Sequence, residues 1–335
     1  MTALRAAVLG TGAWGTTFAA VLADAGCDVA IWGRSAAVCA QITNEHRNEA
    51  RLPGIDLPAG VWASTDAARV LADVDLVAIA IPSQSARATL ESMRDLIPAR
   101  AVAVSLMKGV ELSTDQRMSQ VVAEALGLPA DRIAVISGPN LAREIAERQP
   151  TATVVASTSE ETAQLVASAC SSGTFRPYTN HDVVGVELCG AVKNIIAVAV
   201  GIAQGRGLGY NTMATIITRG LVEITRLGLA LGADAETFPG LAGMGDLMAT
   251  CASPLSRNHS LGVRIGQGMT LEEAIAATGG TAEGVKTSRS VRELAESVGV
   301  EMPITAAVVR VLHEGLPVDE LAPLLLARPV KAEGI

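Results

Sequence analysis

A lysine and an asparagine lie in the middle of a long apolar stretch of this sequence. Lys193 and Asn194 have aliphatic or small neighbours for a full helical turn on each side. Burial of an ammonium group is costly, so a lysine in such a place needs a partner or a chemical task. Desolvation lowers a lysine pKa from about 10.4 toward neutrality, which suits a general acid/base. The alternatives are a structural ion pair and a side chain that extends to solvent.

Three more residues are candidates for chemistry. Lys108 follows an apolar run in the segment SLMKG, and the carboxyl ends of parallel strands border the ligand crevice of an open sheet. Its ammonium group either faces a ligand there or extends into solvent. Asp246 and Thr250 are four residues apart, so a helix would place both on one face. Asp246 then either orients a lysine ammonium group or complements the helix N-terminus.

Two short polar segments contain groups that bind anions. Residues 137–140 (SGPN) end an apolar run, and their N–H groups suit either an anion or an ordinary capped turn. Residues 256–258 (SRN) offer hydroxyl, guanidinium and amide donors in succession. Arginine recognises phosphate or carboxylate through paired hydrogen bonds. A polar loop without a ligand is the alternative for this second segment.

A glycine-rich segment near the beginning of the chain predicts a dinucleotide site. GTGAWG, residues 10–15, follows a predicted strand and opens a predicted helix. In this pattern Gly10 permits the turn, Gly12 lets the backbone approach a pyrophosphate, and Gly15 allows close packing of the helix on the strand. The helix N-terminus adds N–H groups and positive potential. A glycine-rich turn without a ligand is the alternative.

The end of the second predicted strand bears on which dinucleotide is bound. An NAD enzyme typically has an acidic residue there, which holds the ribose 2′-hydroxyl. This chain has Arg34 and no acid in that stretch. Arg34 can pair with a 2′-phosphate, so NADP(H) is the expected preference, with NAD(H) as the second possibility. A solvated surface arginine is the alternative.

The composition excludes several classes of protein. The net charge of −8 and the lack of a Lys/Arg run argue against a nucleic-acid surface. The five cysteines are scattered and include no CxxC pair, which is typical of reduced thiols in a cytosolic protein. The four histidines have no metal-ligand spacing, so no metal is expected. Glycines and threonines interrupt the uncharged run 6–23, so we expect a soluble, cytoplasmic protein without a membrane span.

The apolar pattern predicts two domains. Short Val/Ile/Ala runs alternate with helical patterns in the first half, which indicates strands buried on both faces and a doubly wound α/β fold. From about Val183 long helical patterns dominate. We therefore predict a dinucleotide-binding domain over 1–182 and a helical substrate domain over 183–335. The helices expected after the boundary are 183–205, 211–231, 271–278, 287–298 and 304–314, and one helix expected before it spans 85–96.

In their order along the chain, these motifs resemble the NAD(P)-dependent glycerol-3-phosphate dehydrogenase family. The motifs are GxGxWG, SLMKG, SGPN, AVKN, GMGDL and SRN, and the resemblance extends to about Lys286. It implies a Rossmann-like, mainly parallel sheet followed by an all-helical C-terminal domain. It also implies reduction of dihydroxyacetone phosphate to sn-glycerol 3-phosphate for phospholipid synthesis. The family makes a homodimer plausible.

The resemblance also implies roles for individual residues. Lys193 would be the general acid/base, and Asn194, Lys108, Asp246 and Thr250 would complete the reaction centre. The implied substrate contacts are Lys108, Gly138, Asn140, Lys193, Asp246, Ser256, Arg257 and Asn258. The implied cofactor contacts are Gly10, Gly12, Ala13, Trp14, Gly15, Arg34, Lys108, Ala142, Arg257, Thr281 and Glu283.

The chain departs from the family pattern at a few of these positions. Ala13, Met107, Asn140 and Thr281 differ from the residues that the family often has there. Two other functions fit the same motifs less completely: an oxidoreductase of hydroxy acids with a carboxylate at the arginine site, and a dinucleotide-sensing regulator. A regulator would not require Lys108, Lys193 and Asp246 together.

Overall fold

The computed structural model describes residues 3–278, 282–321, 323 and 327. The chain forms two compact units, each assembled from two stretches of sequence. The first contains Met1–Met107 and Met118–Val183, and the second contains Lys108–Arg117 and Val184–Ile335. The main division lies one residue after the predicted boundary of 182/183. The inclusion of 108–117 in the second unit was not part of the prediction.

The first unit is built on one eight-stranded sheet with the order β3-β2-β1-β4-β5-β6-β7-β8. All neighbouring strands are parallel except β6 and β7, which pair antiparallel. The predicted mainly parallel, doubly wound sheet is therefore confirmed. The strands are β1 (Arg5–Leu9), β2 (Asp28–Trp32), β3 (Trp62–Ser64), β4 (Leu76–Ile79), β5 (Val102–Ser105), β6 (Ile133–Ser137), β7 (Thr151–Ala156) and β8 (Phe175–Asn180).

Apolar side chains on successive residues explain why the central strands are buried on both faces. Side chains alternate across a strand, so neighbours in sequence belong to opposite faces. In β1, Ala6 and Val8 contribute to one apolar cluster, and Ala7 and Leu9 contribute to another. Every residue of β4, β5 and β6 is buried. The continuous Val/Ile/Ala runs thus form the centre of the sheet, as the sequence predicts.

Seven helices flank this sheet. Helix α1 follows the glycine-rich turn and ends before Gly26, whose φ of +97° is a left-handed conformation that glycine adopts readily. The helices are α1 (Ala13–Asp24), α2 (Ala36–Glu45), α3 (Ala67–Leu71), α4 (Ala86–Glu91), α5 (Met118–Leu126), α6 (Ala142–Ala146) and α7 (Glu160–Cys170).

The second unit is helical, as predicted. Its central helix α8 is the one helix in the described part of the chain that is long and apolar enough to cross a bilayer. However, 89% of the tested window is buried within the protein, as expected of a core helix. The helices are α8 (Val183–Gly205), α9 (Tyr210–Ala230), α10 (Asp246–Ala252), α11 (Arg257–Gly266), α12 (Leu271–Ala277), α13 (Glu283–Ser297) and α14 (Pro303–His313).

Four glycines bring α8 and α11 into backbone contact. A Cβ added at Gly201 or Gly205 would lie 2.2 Å from a carbonyl oxygen of α11. A Cβ added at Gly262 or Gly266 would lie 2.2 or 2.4 Å from a carbonyl oxygen of α8. No side chain fits at these distances. On each helix the two glycines are four residues apart, so they lie on one face and let the two backbones touch there. This contact holds α11 against α8.

Two strands, β3 and β8, do not belong to the Val/Ile/Ala runs that predict strands. β3 has only three residues, which is too short for a periodic pattern. β8 has the sequence FRPYTN, with a proline and only one fully buried residue. It is one of the two edge strands, where proline is tolerated because one side of the strand lacks a partner.

Two predicted helices have bounds that differ from those in the structure by more than one residue. The helix predicted over 85–96 is divided, because α4 ends at Glu91 and a separate 3₁₀ turn spans Arg94–Leu96. The Ser92 hydroxyl donates to the Thr89 carbonyl, an alternative to continuing the helix. The helix predicted over 287–298 begins earlier, at Glu283. Gly284, a weak helix former, concealed that first turn in the sequence.

The contact between α8 and α11 predicts a strong effect of one added methyl group. Gly262→Ala places a Cβ against the Val198 carbonyl, so the two helices must separate. We expect the free energy of unfolding to fall by about 1–3 kcal/mol, as for other overpacked cores. Urea denaturation followed by circular dichroism measures this change.

Gly173→Ala is the matched control for this substitution. No heavy atom lies within 4 Å of a Cβ at Gly173. Its effect should stay within about 0.5 kcal/mol of the wild type. Equal denaturation midpoints for the two variants would contradict the proposed role of the glycine contact.

Candidate active site

Two lysine ammonium groups meet one aspartate carboxylate inside the second unit. Lys193 Nζ donates to Asp246 Oδ1, and Lys108 Nζ donates to Asp246 Oδ2 at 2.6 Å. Lys193 Nζ also lies 2.5 Å from Thr250 Oγ1. Asp246 is 1% exposed and Lys193 is 6% exposed. The structure thus brings together four residues that the sequence analysis selected, and Lys193 is buried with a partner.

Helices α8 and α10 and the segment that follows β5 supply the side chains of this cluster. Lys193 lies in the middle of α8, among aliphatic side chains. Asp246 and Thr250 are on one face of α10, with Thr250 Oγ1 3.3 Å from Asp246 Oδ1. A π-helical turn, Leu241–Gly245, leads directly into α10. Asp246 therefore combines both predicted alternatives, because it pairs with lysines and also stands in the first turn of a helix.

Burial lowers the pKa of Lys193 to about 8. Desolvation is the main cause, because the charged ammonium group loses its hydration. The carboxylate of Asp246 opposes this shift, and the positive charge of Lys108 adds to it. The nearby Cys251 thiol has its pKa raised to about 12, also by burial. At pH values around 8, Lys193 can therefore both hold and release a proton.

Asn194 and Asn258 form a chain of hydrogen bonds beside the lysine cluster. Asn258 Nδ2 donates to Asn194 Oδ1 at 2.9 Å, and the Gly284 N–H donates to Asn258 Oδ1 at 3.0 Å. Asn194 Nδ2 donates to the Gly190 carbonyl at 3.3 Å. These bonds connect α8, α11 and α13. Both side chains are buried and fixed in place.

The SRN segment is the start of a helix, so its interpretation as a loop is wrong. Ser256 is the N-cap of α11, and its hydroxyl accepts a hydrogen bond from the His259 N–H. Arg257 is the exposed member of the three. Glu283 is half-buried, and burial raises its pKa. Of the neighbouring positive charges, that of Arg257 opposes this shift most strongly. Thr281 lies outside the described residues.

In the first unit, the glycine-rich turn has the geometry that a dinucleotide needs. Gly10 has φ of +122°, and a Cβ there would lie 2.5 Å from the Ala80 carbonyl oxygen. A Cβ at Gly15 would lie 2.3 Å from the Gly10 carbonyl oxygen. Gly12, in contrast, has no heavy atom within 4 Å of an added Cβ. The turn is packed on its inner side and open at Gly12, so the residues present fit a bound pyrophosphate.

Asn48 holds this turn, although it was not among the residues predicted from the sequence. Its Nδ2 donates to the Thr11 carbonyl at 3.0 Å and to Thr16 Oγ1 at 2.8 Å. The side chain is fully buried. Asn48 lies in an irregular segment without a motif, so no signal in the sequence identifies it. Ala13 and Trp14 begin α1, and the Trp14 ring packs on Phe18 at 5.6 Å between centroids.

The remaining predicted contacts in the first unit lie near strand ends. Arg34 is exposed in the turn after β2 and forms no ion pair with the described residues. Ala142 is the first residue of α6, and its carbonyl accepts from Thr17 Oγ1 at 3.0 Å. Gly138 follows β6 with φ of +154°. Asn140 Nδ2 donates to Thr153 Oγ1 at 3.0 Å, while its Oδ1 is buried without a partner among the described residues.

Among the residues that the structure describes, no group of three or more His, Cys, Asp or Glu side chains could hold a metal ion.

Comparisons with known proteins identify the family. Family models described as NAD-dependent glycerol-3-phosphate dehydrogenase N-terminus and C-terminus match residues 5–163 and 182–323. A glycerol-3-phosphate dehydrogenase (NAD(P)+) of Streptomyces griseus is 57% identical over 98% of both chains. Its counterpart from Corynebacterium diphtheriae is 53% identical over 98% of this chain and all of the relative.

Solved structures agree with this result. The crystal structure of glycerol-3-phosphate dehydrogenase from Coxiella burnetii is 38% identical, with a TM-score of 0.92 over 97% of this chain and 99% of the other. A ketopantoate reductase from Ralstonia eutropha, at 18% identity and a TM-score of 0.61, shares the fold. Since two family models together cover most of the sequence and the relatives align over nearly its whole length, this chain belongs to the NAD(P)-dependent glycerol-3-phosphate dehydrogenase family.

Proposed function

We propose that the protein interconverts dihydroxyacetone phosphate and sn-glycerol 3-phosphate, with Lys193 as the general acid/base. The observation that carries this proposal is the buried contact of Lys193 and Lys108 with Asp246. Two cations and one carboxylate leave a positive site, which suits both a phosphorylated substrate and an oxyanion. The relatives' names state the same dehydrogenase activity.

In the direction of reduction, the lysine cluster acts on the carbonyl oxygen at C2 of the substrate. A nicotinamide cofactor held at the glycine-rich turn, residues 10–15, would supply the hydride. Lys193 gives its proton to the oxygen as negative charge develops there, and the ammonium group of Lys108 stabilises that charge. Asp246 and Thr250 orient Lys193 through their hydrogen bonds. In the direction of oxidation, neutral Lys193 accepts the proton from the hydroxyl group.

The phosphate group of the substrate is assigned to the start of α11. Arg257 is exposed and can form paired hydrogen bonds with a phosphate. Ser256 and Asn258 already bond to protein atoms, so they shape the site and offer only their remaining hydrogen-bonding capacity. Asn194 fixes Asn258 from α8. Gly138, Asn140 and Lys108 are the other proposed substrate contacts.

The dinucleotide is assigned to the glycine-rich turn of the first unit. Gly10 and Gly15 allow the close packing of the turn, and Gly12 leaves room for the pyrophosphate. The N-terminus of α1 has no side-chain cap that would compete for its N–H groups. Arg34 favours NADP(H) because its guanidinium is exposed and can pair with a 2′-phosphate. The other proposed cofactor contacts are Ala13, Trp14, Lys108, Ala142, Arg257, Thr281 and Glu283.

The biological setting follows from the chemistry and is part of the proposal. The product sn-glycerol 3-phosphate is the backbone of phospholipids, so we assign the enzyme to phospholipid synthesis. All five cysteines are free thiols, which suits the reducing cytoplasm. A homodimer is the proposed assembly.

Lys193→Met tests the catalytic role. The substitution keeps much of the side-chain volume but removes the proton, so kcat for reduction should fall about 100- to 10,000-fold. NADPH binding, measured by the fluorescence of the nicotinamide, should remain within about twofold of the wild type because Lys193 is not among the proposed cofactor contacts. Turnover is followed as NADPH oxidation with dihydroxyacetone phosphate.

Lys286→Met is the matched control, because Lys286 is an exposed lysine of α13. It should have wild-type kcat. Near-normal activity of Lys193→Met would remove Lys193 from the reaction. Faster NADPH oxidation with 2-ketoacids than with dihydroxyacetone phosphate would replace the proposed substrate class.

The lowered pKa of Lys193 predicts opposite pH profiles for the two directions. Reduction needs the protonated amine, so kcat/KM should be constant below about pH 8 and fall as the pH rises through that value. Oxidation needs the neutral amine, so its kcat/KM should rise through the same range and then level. Initial rates from pH 6 to 10 measure both midpoints, and parallel profiles in the two directions would contradict the assignment.

Arg34→Ala tests the cofactor preference. Loss of a charge-assisted bond to the 2′-phosphate should raise the Kd for NADPH about tenfold or more and leave the Kd for NADH within about twofold. Fluorescence titration measures both constants. Arg176→Ala, which removes an exposed arginine of β8, is the control and should change neither. An equal weakening of both cofactors by Arg34→Ala would exclude recognition of the 2′-phosphate.

A further inference from the structure

The segment that carries Lys108 has little regular structure of its own. Residues 108–117 connect β5 to α5 and contain only an isolated antiparallel bridge between Val110 and Arg117. The Glu111 N–H donates to the Gln116 carbonyl at 3.0 Å, which closes the segment into a loop. Lys108 stands at one end of this loop and Arg117 at the other. The ends are joined through the bridge, so the position of Arg117 influences that of Lys108.

Arg117 anchors the far end of the loop to α8. Its guanidinium forms an ion pair with the carboxylate of Glu187, and the two side chains are only 18% and 4% exposed. Glu187 precedes Lys193 by six residues on the same helix. The ion pair therefore attaches the loop that contains Lys108 to the helix that contains Lys193. A third contact joins the Ser290 hydroxyl to the Val110 carbonyl at 3.1 Å.

A lysine side chain is long and flexible, so its ammonium group can reach many places from one backbone position. The 2.6 Å contact of Lys108 with Asp246 depends on where the backbone of the loop is held. A buried ion pair is poor evidence for stability, because desolvation offsets much of the attraction. Fixing one geometry among several is the better attested use of such a pair.

We propose that the Arg117–Glu187 ion pair is a positioning device, which fixes the 108–117 loop on α8 so that Lys108 and Lys193 reach Asp246 together. This inference rests on the proposed function, in which both lysines act on the substrate oxygen. Arg117 and Glu187 are positioning residues and do not touch the substrate.

The charges around Lys193 predict how the pair influences catalysis. The groups that face its ammonium are Asp246 and Lys108, with Glu283 and Cys251 on α13 and α10. Of these, Lys108 is the cation, and its charge lowers the pKa of Lys193. If the loop moves and Lys108 withdraws, the pKa of Lys193 rises. Reduction should then continue to a higher pH than in the wild type.

The double variant Arg117→Met/Glu187→Leu tests the proposal. Removal of both charges avoids leaving one buried charge alone, so the protein should fold with a melting temperature close to that of the wild type. We expect kcat/KM for dihydroxyacetone phosphate to fall about 10- to 100-fold, as for other small displacements of catalytic groups. The midpoint of the reduction pH profile should move upward, and the Kd for NADPH should stay within about twofold.

The matched control is Arg206→Met/Asp319→Asn, which removes an exposed ion pair of the second unit between the arginine after α8 and Asp319. It should leave kcat/KM and the pH midpoint unchanged. A double variant at 117 and 187 with wild-type kcat/KM would overturn the proposal. A lower kcat/KM with an unmoved midpoint would also overturn it, because general loosening would then explain the loss.

Arg117→Lys decides the matter if the double variant does not fold. It keeps the charge but lacks the planar fork, so it should show a smaller loss of kcat/KM than that expected for the double variant, with a correspondingly smaller upward shift of the midpoint. A wild-type midpoint in that variant overturns the proposal. Failure here is distinct from failure of the proposed function, since the latter would appear as an active Lys193→Met enzyme.

Discussion

One buried carboxylate that binds two ammonium groups is the constraint on which the second unit depends. Asp246 is almost fully buried and accepts from both Lys108 and Lys193. Without it, two cations would be close together in an apolar interior, and the desolvation penalty would have no compensation. With it, the cluster keeps a net positive charge, and the amine of Lys193 exchanges its proton near pH 8. The same arrangement thus makes burial tolerable and gives the site its chemistry.

Rigid supports surround this cluster on several sides. The glycine contact between α8 and α11 leaves no space for side chains, so the helices cannot slide without a collision of backbones. Hydrogen bonds of the Asn194 and Asn258 side chains then connect α8 to α11 and α11 to the start of α13. In the first unit, Asn48 has a comparable role at the glycine-rich turn. Hydrogen-bonded polar side chains such as those of Asn194 and Asn258 favour one arrangement over many inside a protein.

The sequence predicts those parts of the molecule that depend on local patterns. The buried strands, the glycine-rich turn and the long helices of the second unit follow from periodicity and from the conformations of glycine. Lys193 was identifiable because a charged residue in an apolar helix is unusual. Local sequence patterns do not predict elements that depend on other contacts. β8 is a strand because of its place at the sheet edge, and Ser256 starts a helix because its hydroxyl caps the helix. Nothing in the segment around Asn48 shows that its amide reaches Thr11 and Thr16.

The membership of residues 108–117 in the second unit has a consequence for recombination between relatives. The chain passes from one unit to the other three times, at 107/108, 117/118 and 183/184. A chimaera joined at 183/184 alone would take the Lys108 loop from one parent. The groups that this loop contacts, namely the Asp246 carboxylate, Glu187 on α8 and the Ser290 hydroxyl, would come from the other parent. The Lys108 loop and its acceptor Asp246 would then come from two parents in which they did not evolve together. Hybrids that exchange 108–117 together with the C-terminal half keep these contacts within one parental sequence.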